Sequence, residues 1–316
     1  MRYICFLAIL WLFSCKPSAG IVSQPLINDS VTDNEIAAII DTLSSDYMEG
    51  RDFGSKGETK AAAFIENFLV LNKIKPFFKK YTDSVTVSET TGFNVIGLIE
   101  GKDEVLKNEY ILLSAHYDHV GLRHGQKDSV YNGANDNASG VSTVLNIARQ
   151  LSLKNTPERS IIVALFTGEE AGLLGAEHFA LRIKNSGHKI YCHLNVDMIG
   201  SILTDQPGKV YLSGYDKSNM AEIMNRYTGN NAFVKSQKAE MMGVFSLSDN
   251  YPIYENLKIP AHTLCTFDFD NYKHYHRTTD EIKNVDIPNT GIIVRNIAKA
   301  ITGIANSQEN EIKLNE

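Results

Sequence analysis

The sequence predicts an α/β fold, a single domain built on a sheet that helices cover on both faces. Three observations carry this. Short apolar runs such as "YILLSAH" and "SIIVALF" lack polar alternation, as expected of strands buried on both sides. These runs alternate with segments of 3–4 residue apolar periodicity, the pattern of helices packed on a sheet. No repeat or linker interrupts residues 33–306, and 316 residues at 43% hydrophobic content supply one large core.

The first residues stand apart. Arg2 precedes an apolar run from Ile4 to Phe13, too short to span a bilayer but suited to a signal segment. The run ends in "LFSC", which resembles a bacterial lipoprotein signal with Cys15 as the acylated residue; a plain secretory signal is the alternative. The expected organisation is a signal over 1–14, a polar tether over 15–32 and a catalytic domain over 33–316. The expected location is periplasmic or cell-surface, with membrane contact only through a lipid on Cys15. Cys192 and Cys265 then remain, and their apolar surroundings predict buried free thiols.

From Asp33, a plausible N-cap, Ile36, Ile39, Ile40 and Leu43 mark a helix. The Gly-rich "MEGRDFGSKG" leads to a second helix with Ala61, Phe64, Ile65, Phe68 and Leu69 on one face. "FNVIGLIEG" and "YILLSAH" read as strands, and "SGVSTVLNIARQL" as a helix through Val141, Val144, Leu145, Ala148 and Leu151. "SIIVALFTGEE" is a strand that breaks at Gly168, and "AGLLGAEHFALRI" is the helix after it. "IYCHLNVDMIG", "KVYLSG" and "IPAHTLCTF" read as further strands, and "TGIIVRNIAKAITGIA" as a closing helix. A net charge of −6 without any dense Lys/Arg block gives no footprint for nucleic acid.

Polar residues follow the strands. His116 and Asp118 come after "YILLSA", Glu169 and Glu170 after "SIIVALFTG", Asp197 after "CHLNV", and His276 beyond "AHTLCTF". Asp136 lies in the loop "NGANDNASG". Ligand sites in open α/β sheets gather beyond the carboxyl ends of the strands, so these side chains should converge. Two imidazoles with several carboxylates suit zinc or a similar first-row ion better than magnesium. The count fits two ions sharing one carboxylate. Asp136, flanked by small residues, is the candidate for that shared ligand. In "H-x-D", Asp118 can accept the second N–H of His116 and aim its ring.

"SAHYDHVG", "NGANDNASG", "FTGEEAGLLGAEHFA", "NVDMIG" and "HYHRTTDEI", in this order, resemble the M28 family of zinc aminopeptidases. "LSSDYMEGRDFGSKGETKAAAFI" is similar to the segment before the catalytic core in many members. The resemblance implies a mixed, mostly parallel sheet of about eight strands. It implies one zinc on His116, Asp136 and Asp197, and a second on Asp136, Glu170 and His276. Glu169 would be the general base, and Tyr275 would steady the tetrahedral intermediate. The Asp136–Asn137 peptide bond would be cis. Substrates would be peptides with a free N-terminus, their amine drawn to Glu169, Asp197 and Asp249. Where many members read "SDHYPF", this chain has Asn250 and Ile253 in "SDNYPI", which bears on pocket shape. The loop "TFDFDNYKHYHRTTDE" is aromatic and acidic and is expected to narrow the pocket mouth. His119 and His124 are candidates for the rim, and Arg51 for holding the Gly-rich loop.

Three other readings compete. A glutaminyl-peptide cyclotransferase would use one zinc. A carboxypeptidase would need a basic pocket for a terminal carboxylate. A degenerate binding protein would lack a ligand or Glu169.

Overall fold

A computed structural model describes residues 30–123, 125, 128–154 and 157–315. The predicted signal, Cys15, most of the tether and His124 lie outside these residues.

The described residues form eight α-helices and nine strands. They are α1 (Asp33–Leu43), α2 (Lys56–Leu71), β1 (Lys75–Pro76), β2 (Thr82–Val87), β3 (Thr90–Ile99), β4 (Glu109–His116), α3 (Ser139–Lys154) and β5 (Ser160–Phe166). There follow α4 (Leu174–Ser186), β6 (Lys189–Val196), β7 (Val210–Leu212), α5 (Met220–Thr228), β8 (Phe233–Val234), α6 (Gln237–Met241), α7 (Asn250–Leu257), β9 (Ala261–Cys265) and α8 (Ile287–Asn306).

All nine strands join one mixed sheet in the order β1-β3-β5-β4-β6-β9-β7-β8, with β2 also on β3. The centre, β5-β4-β6-β9, is parallel, with Leu113 opposite both Val163 and Leu194. Toward the edges, β3 meets β5 and β7 meets β9 in antiparallel fashion. The sheet is mixed, as expected, with nine strands among the described residues; parallel pairing runs through its middle and returns at the edge pair β7-β8.

The unbroken apolar runs of β4 and β5 are explained by burial on both faces. Ile111, Leu113 and Ala115 point into a large core with α1, α2, α3, α5 and α8. Leu112 points the other way, with Ile162 and Phe166, toward Phe179 of α4 and Ile253 of α7. The period of two in β4 therefore divides two cores rather than core from water.

Packing begins inside the predicted tether. Thr32, not Asp33, caps α1: Thr32 Oγ1 accepts Glu35 N at 3.3 Å and Thr32 N donates to Glu35 Oε2 at 2.9 Å, a reciprocal capping box. Val31 is buried beside it. Asp33 instead pairs with Arg295 at 2.8 Å. Cys192 and Cys265 are separate buried thiols. Among the described residues, no helix is long and apolar enough to cross a membrane.

Because β4, β5, β6 and β9 run parallel, their carboxyl ends open on one edge. His116 closes β4, Thr167-Gly168-Glu169-Glu170 leave β5, and Asp197 follows β6.

Candidate metal centre

The five residues expected to bind metal meet at that edge. His116 Nε2 lies 3.5 Å from Asp136 Oδ1 and 3.4 Å from Asp197 Oδ1. His276 Nε2 lies 3.3 Å from Asp136 Oδ2 and 3.1 Å from Glu170 Oε2. One carboxylate, Asp136, thus turns a different oxygen toward each imidazole. His119 joins the second group, with Nδ1 3.0 Å from Glu170 Oε1 and 3.7 Å from Asp136 Oδ2. It is fully buried, not on the rim where the sequence suggested it. Asp136 Oδ2 is buried without a hydrogen-bond partner among the described residues, and a bare carboxylate oxygen facing two imidazoles is what a cation would satisfy. The donor set of imidazole nitrogens and carboxylate oxygens fits zinc.

The loop around Asp136 explains its composition. Asn137 Oδ1 accepts Gly140 N at 2.9 Å and Met198 N at 3.2 Å, and its Nδ2 donates to Val196 O at 2.9 Å. Asn135 Oδ1 accepts Gly200 N at 2.7 Å. The amides flanking Asp136 therefore tie its loop to the segment that carries Asp197. At Gly133 φ is +59°, and a Cβ there would lie 2.3 Å from Asp136 O and 2.6 Å from the Arg51 guanidinium, so only glycine fits. The Asp136–Asn137 bond is cis, as the resemblance implied.

Two braces carried no assigned chemistry at the sequence level. Asp280 Oδ2 accepts Asp136 N at 3.0 Å, and its Oδ1 accepts Asn135 N at 2.8 Å and the Tyr272 hydroxyl at 2.6 Å. Its place in "HYHRTTDEI" was the available signal. Arg51, assigned only to its own loop, is fully buried and reaches further. It donates to Tyr117 O at 2.7 Å, Asn132 O at 2.8 Å, Gly133 O at 2.9 Å and also to Leu43 O. It thereby joins the loops bearing His116 and Asp136.

The Asp118 carboxylate does not accept the second N–H of His116 as the sequence suggested; the residue's main-chain carbonyl is the nearer group, 3.3 Å from His116 Nδ1, with the carboxylate at 3.7 Å. That carboxylate accepts Glu169 N at 3.1 Å and Glu170 N at 3.2 Å, so it holds the glutamate pair in place.

The charges separate the roles of the two glutamates. Burial raises both, but hydrogen bonds from His119 and His276 outweigh it at Glu170, whose carboxyl falls well below the ordinary range. At Glu169 burial dominates and lifts the carboxyl well above that range; Asp197, Asp249 and Glu170 push the same way against the pull of His116. The two neighbours therefore differ in their hold on a proton, with Glu169 the stronger. Burial and the carboxylates of Asp136 and Glu170 also raise the Tyr275 phenol, so it stays a donor. Its ring stacks on His276 at 3.9 Å and lies 4.8 Å from that of Phe267.

A cavity of about 460 Å³ opens on these groups, walled by Met198, Val244, Leu247, Phe267, Phe269 and Tyr275. Phe267, Phe269 and Tyr275 come from the aromatic loop expected to narrow the mouth. Asp249 is wholly buried rather than on the rim. Neither of its oxygens has a hydrogen-bond partner among the described residues, and burial lifts it to about 8. Asn250 accepts from Thr263 Oγ1 at 2.6 Å and donates to Phe245 O at 3.0 Å, a structural post rather than part of the pocket.

Residues 94–301 match the sequence profile of peptidase family M28. The chain is 28% identical to a vacuolar membrane protease of Schizosaccharomyces pombe, over 73% of this chain and 25% of that protein. It spans roughly a quarter to a third of the length of the first curated relatives it matches. Its fold is similar to that of a zinc aminopeptidase from Bacillus subtilis, with a TM-score of 0.71, 14% identity, and coverage of 92% of this chain and 99% of that one. It is also similar to that of Porphyromonas gingivalis glutaminyl cyclase, with a TM-score of 0.68, 16% identity, and coverage of 87% and 99%.

Proposed function

The chain belongs to peptidase family M28 and is a metallopeptidase by that membership; we propose that it is an aminopeptidase working with two zinc ions. The observation that supports this best is the division of Asp136. One of its oxygens is 3.5 Å from His116 Nε2, and the other is 3.3 Å from His276 Nε2. In this reading His116, Asp136 and Asp197 hold one zinc, and Asp136, Glu170 and His276 hold the second. Bound there, zinc supplies Lewis-acid polarisation of a carbonyl and acidifies water toward neutral pH.

Glu169, which lines the cavity together with His116, Asp136 and Asp197, takes the proton from the attacking water and delivers it to the leaving amine. The protonated Tyr275 hydroxyl donates to the oxygen on which charge develops. A free α-amine is attracted by Glu169 and Asp197 at the cavity wall, and no Lys or Arg is among the described residues lining it. That disfavours a C-terminal carboxylate and hence a carboxypeptidase. The apolar walls favour a large apolar first residue.

The test is Glu169→Gln, assayed on aminoacyl anilides with metal analysis of the same sample. The expected result is unchanged zinc content and a loss of activity of about 100- to 10,000-fold. Retained turnover would refute the assignment of the base. One zinc per chain, with cyclisation of N-terminal glutamine, would instead favour the cyclase reading.

We further propose export and a lipid on Cys15, from the apolar run that ends in "LFSC". Labelling with a fatty-acid analogue, lost in Cys15→Ala, tests this.

A further inference from the structure

The two halves of the centre are not equivalent. Around Asp136 Oδ1 stand one imidazole, His116, and one further carboxylate, Asp197. Around Asp136 Oδ2 stand two imidazoles, His119 and His276, and Glu170.

We infer that His119 is a further metal ligand, through Nδ1, on the Glu170 side of Asp136. This rests on the metallopeptidase reading and refines it. The Glu170 side then has four protein donors and is closed. The Asp197 side has three and keeps an open position for water and substrate.

The distances carry the inference. Four donors arranged tetrahedrally about 2.0–2.1 Å from a zinc are separated by edges of about 3.4 Å. His119 Nδ1 lies 3.0 Å from Glu170 Oε1 and 3.7 Å from Asp136 Oδ2. His276 Nε2 lies 3.1 Å from the same Glu170 Oε1 and 3.3 Å from the same Asp136 Oδ2. Both nitrogens thus face the same two carboxylates, and all four edges are close to the tetrahedral value. His119 is fully buried, so its ring is aimed by packing rather than by solvent.

Closed four-donor zinc sites and open three-donor sites differ in role, the first structural and the second catalytic. The Glu170 side should therefore retain its ion when the Asp197 side has lost its own.

The alternative is that His119 only donates Nδ1–H to Glu170. Two measurements separate the readings. The first uses wild-type protein labelled with ¹⁵N in histidine and titrated with zinc. His116 and His276 face the centre through Nε2, whereas His119 faces it through Nδ1. The expected result is a third metal-bound imidazole whose coordinated nitrogen is Nδ1. Two coordinated imidazoles only, both through Nε2, would overturn the inference.

The second uses His119→Asn, whose amide can still donate to Glu170 from near the Nδ1 position but is a poor zinc ligand. In graded chelation, wild type should lose its ions in two separate steps. The variant should release its second ion at least about 100-fold more readily, a larger effect than most outer hydrogen bonds produce. Wild-type retention of both ions in the variant would overturn the inference. Failure of the wild type to bind zinc at all would instead sink the metallopeptidase reading.

Discussion

Asp280→Asn removes one negative charge and changes one oxygen to an amide. In the native loop, Asp280 Oδ1 accepts Asn135 N at 2.8 Å and the Tyr272 hydroxyl at 2.6 Å, while Oδ2 accepts Asp136 N at 3.0 Å. An asparagine that keeps Oδ1 in place turns its NH₂ toward the Asp136 N–H, so two donors face each other. A flipped amide would serve Asp136 N and turn its NH₂ toward Asn135 N, so one backbone N–H is left unpaired either way. Losing one hydrogen bond to a charged acceptor costs about 1.5–3 kcal/mol, and a buried N–H left unpaired costs about 1–3 kcal/mol. These overlap, so a loss of about 3 kcal/mol is expected for the metal-free protein. The charge matters as well. Burial lowers the Arg51 guanidinium to about 10, and Asp280 is the foremost of the carboxylates that oppose this. Urea unfolding of the metal-free protein measures the stability term, and zinc competition with a chromogenic chelator measures the aim of Asp136. Zinc affinity should fall about 10- to 100-fold, as for other residues that orient ligands. A stability loss below about 1 kcal/mol with unaltered zinc affinity would refute the role given to Asp280.

Two further predictions concern the polar groups beneath the centre. Burial lowers His193 to about 3, with His262 acting in the same direction. The native state therefore keeps it neutral while the unfolded chain protonates below about pH 6.5. Its contribution is fully present above that pH and is lost as pH falls toward 3, amounting to about 2 kcal/mol at pH 5. His193→Gln, which can still donate to Ser114, should shrink the stability difference between pH 7.5 and pH 5 by about 2 kcal/mol; an unchanged difference in urea unfolding would contradict this. Ser248 donates to Asp197 Oδ2 at 2.8 Å. Ser248→Ala should therefore weaken zinc binding about 10- to 100-fold on the Asp197 side alone, read by chelator competition, and equal weakening of both sides would contradict it.

The central strands and the long helices were legible because continuous apolar runs and 3–4 residue periodicity survive without tertiary context. β1 and β8 were not: each spans two residues, and "TDSVTV" of β2 is a polar strand that needs its partner β3 to be recognised. Helices α5 and α7 lie among polar and aromatic residues whose pattern is weaker. The capping box of Thr32 and Glu35 was present in the sequence, but Asp33 is an equally good cap by residue type. The metal-facing residues were legible because each follows a strand within a motif. Their braces were not. Arg51 and Asp280 bond to groups 66–82 and 144–145 positions away, and no local pattern encodes such a partner. His119 was visible in "HYDH", but whether it faced the rim or the centre depended on the path of the chain after β4.

The polar groups under Asp197 have a direction, and the direction has a consequence. Ser114 gives its one hydroxyl proton to Asn195 Oδ1 at 2.8 Å, so His193 Nε2, 2.7 Å from Ser114 Oγ, is the donor there. With its oxygen engaged, Asn195 uses Nδ2 to donate to Ser248 Oγ at 2.9 Å and Thr263 Oγ1 at 3.1 Å. Ser248 must then send its proton outward, to Asp197 Oδ2. The chain of donors ends on one oxygen of Asp197 and leaves the other, Oδ1, toward His116 at 3.4 Å. Every hydroxyl and amide in this series has its proton assigned by its neighbours, so Asp197 is held as an acceptor in one orientation. Because Ser114 has spent its proton on Asn195, His193 must carry its own on Nε2, which fixes its tautomer. The aim of this side of the centre is therefore set in the core of the sheet, between β4 and β6. A core substitution that breaks the series should loosen zinc on the Asp197 side before it unfolds the protein.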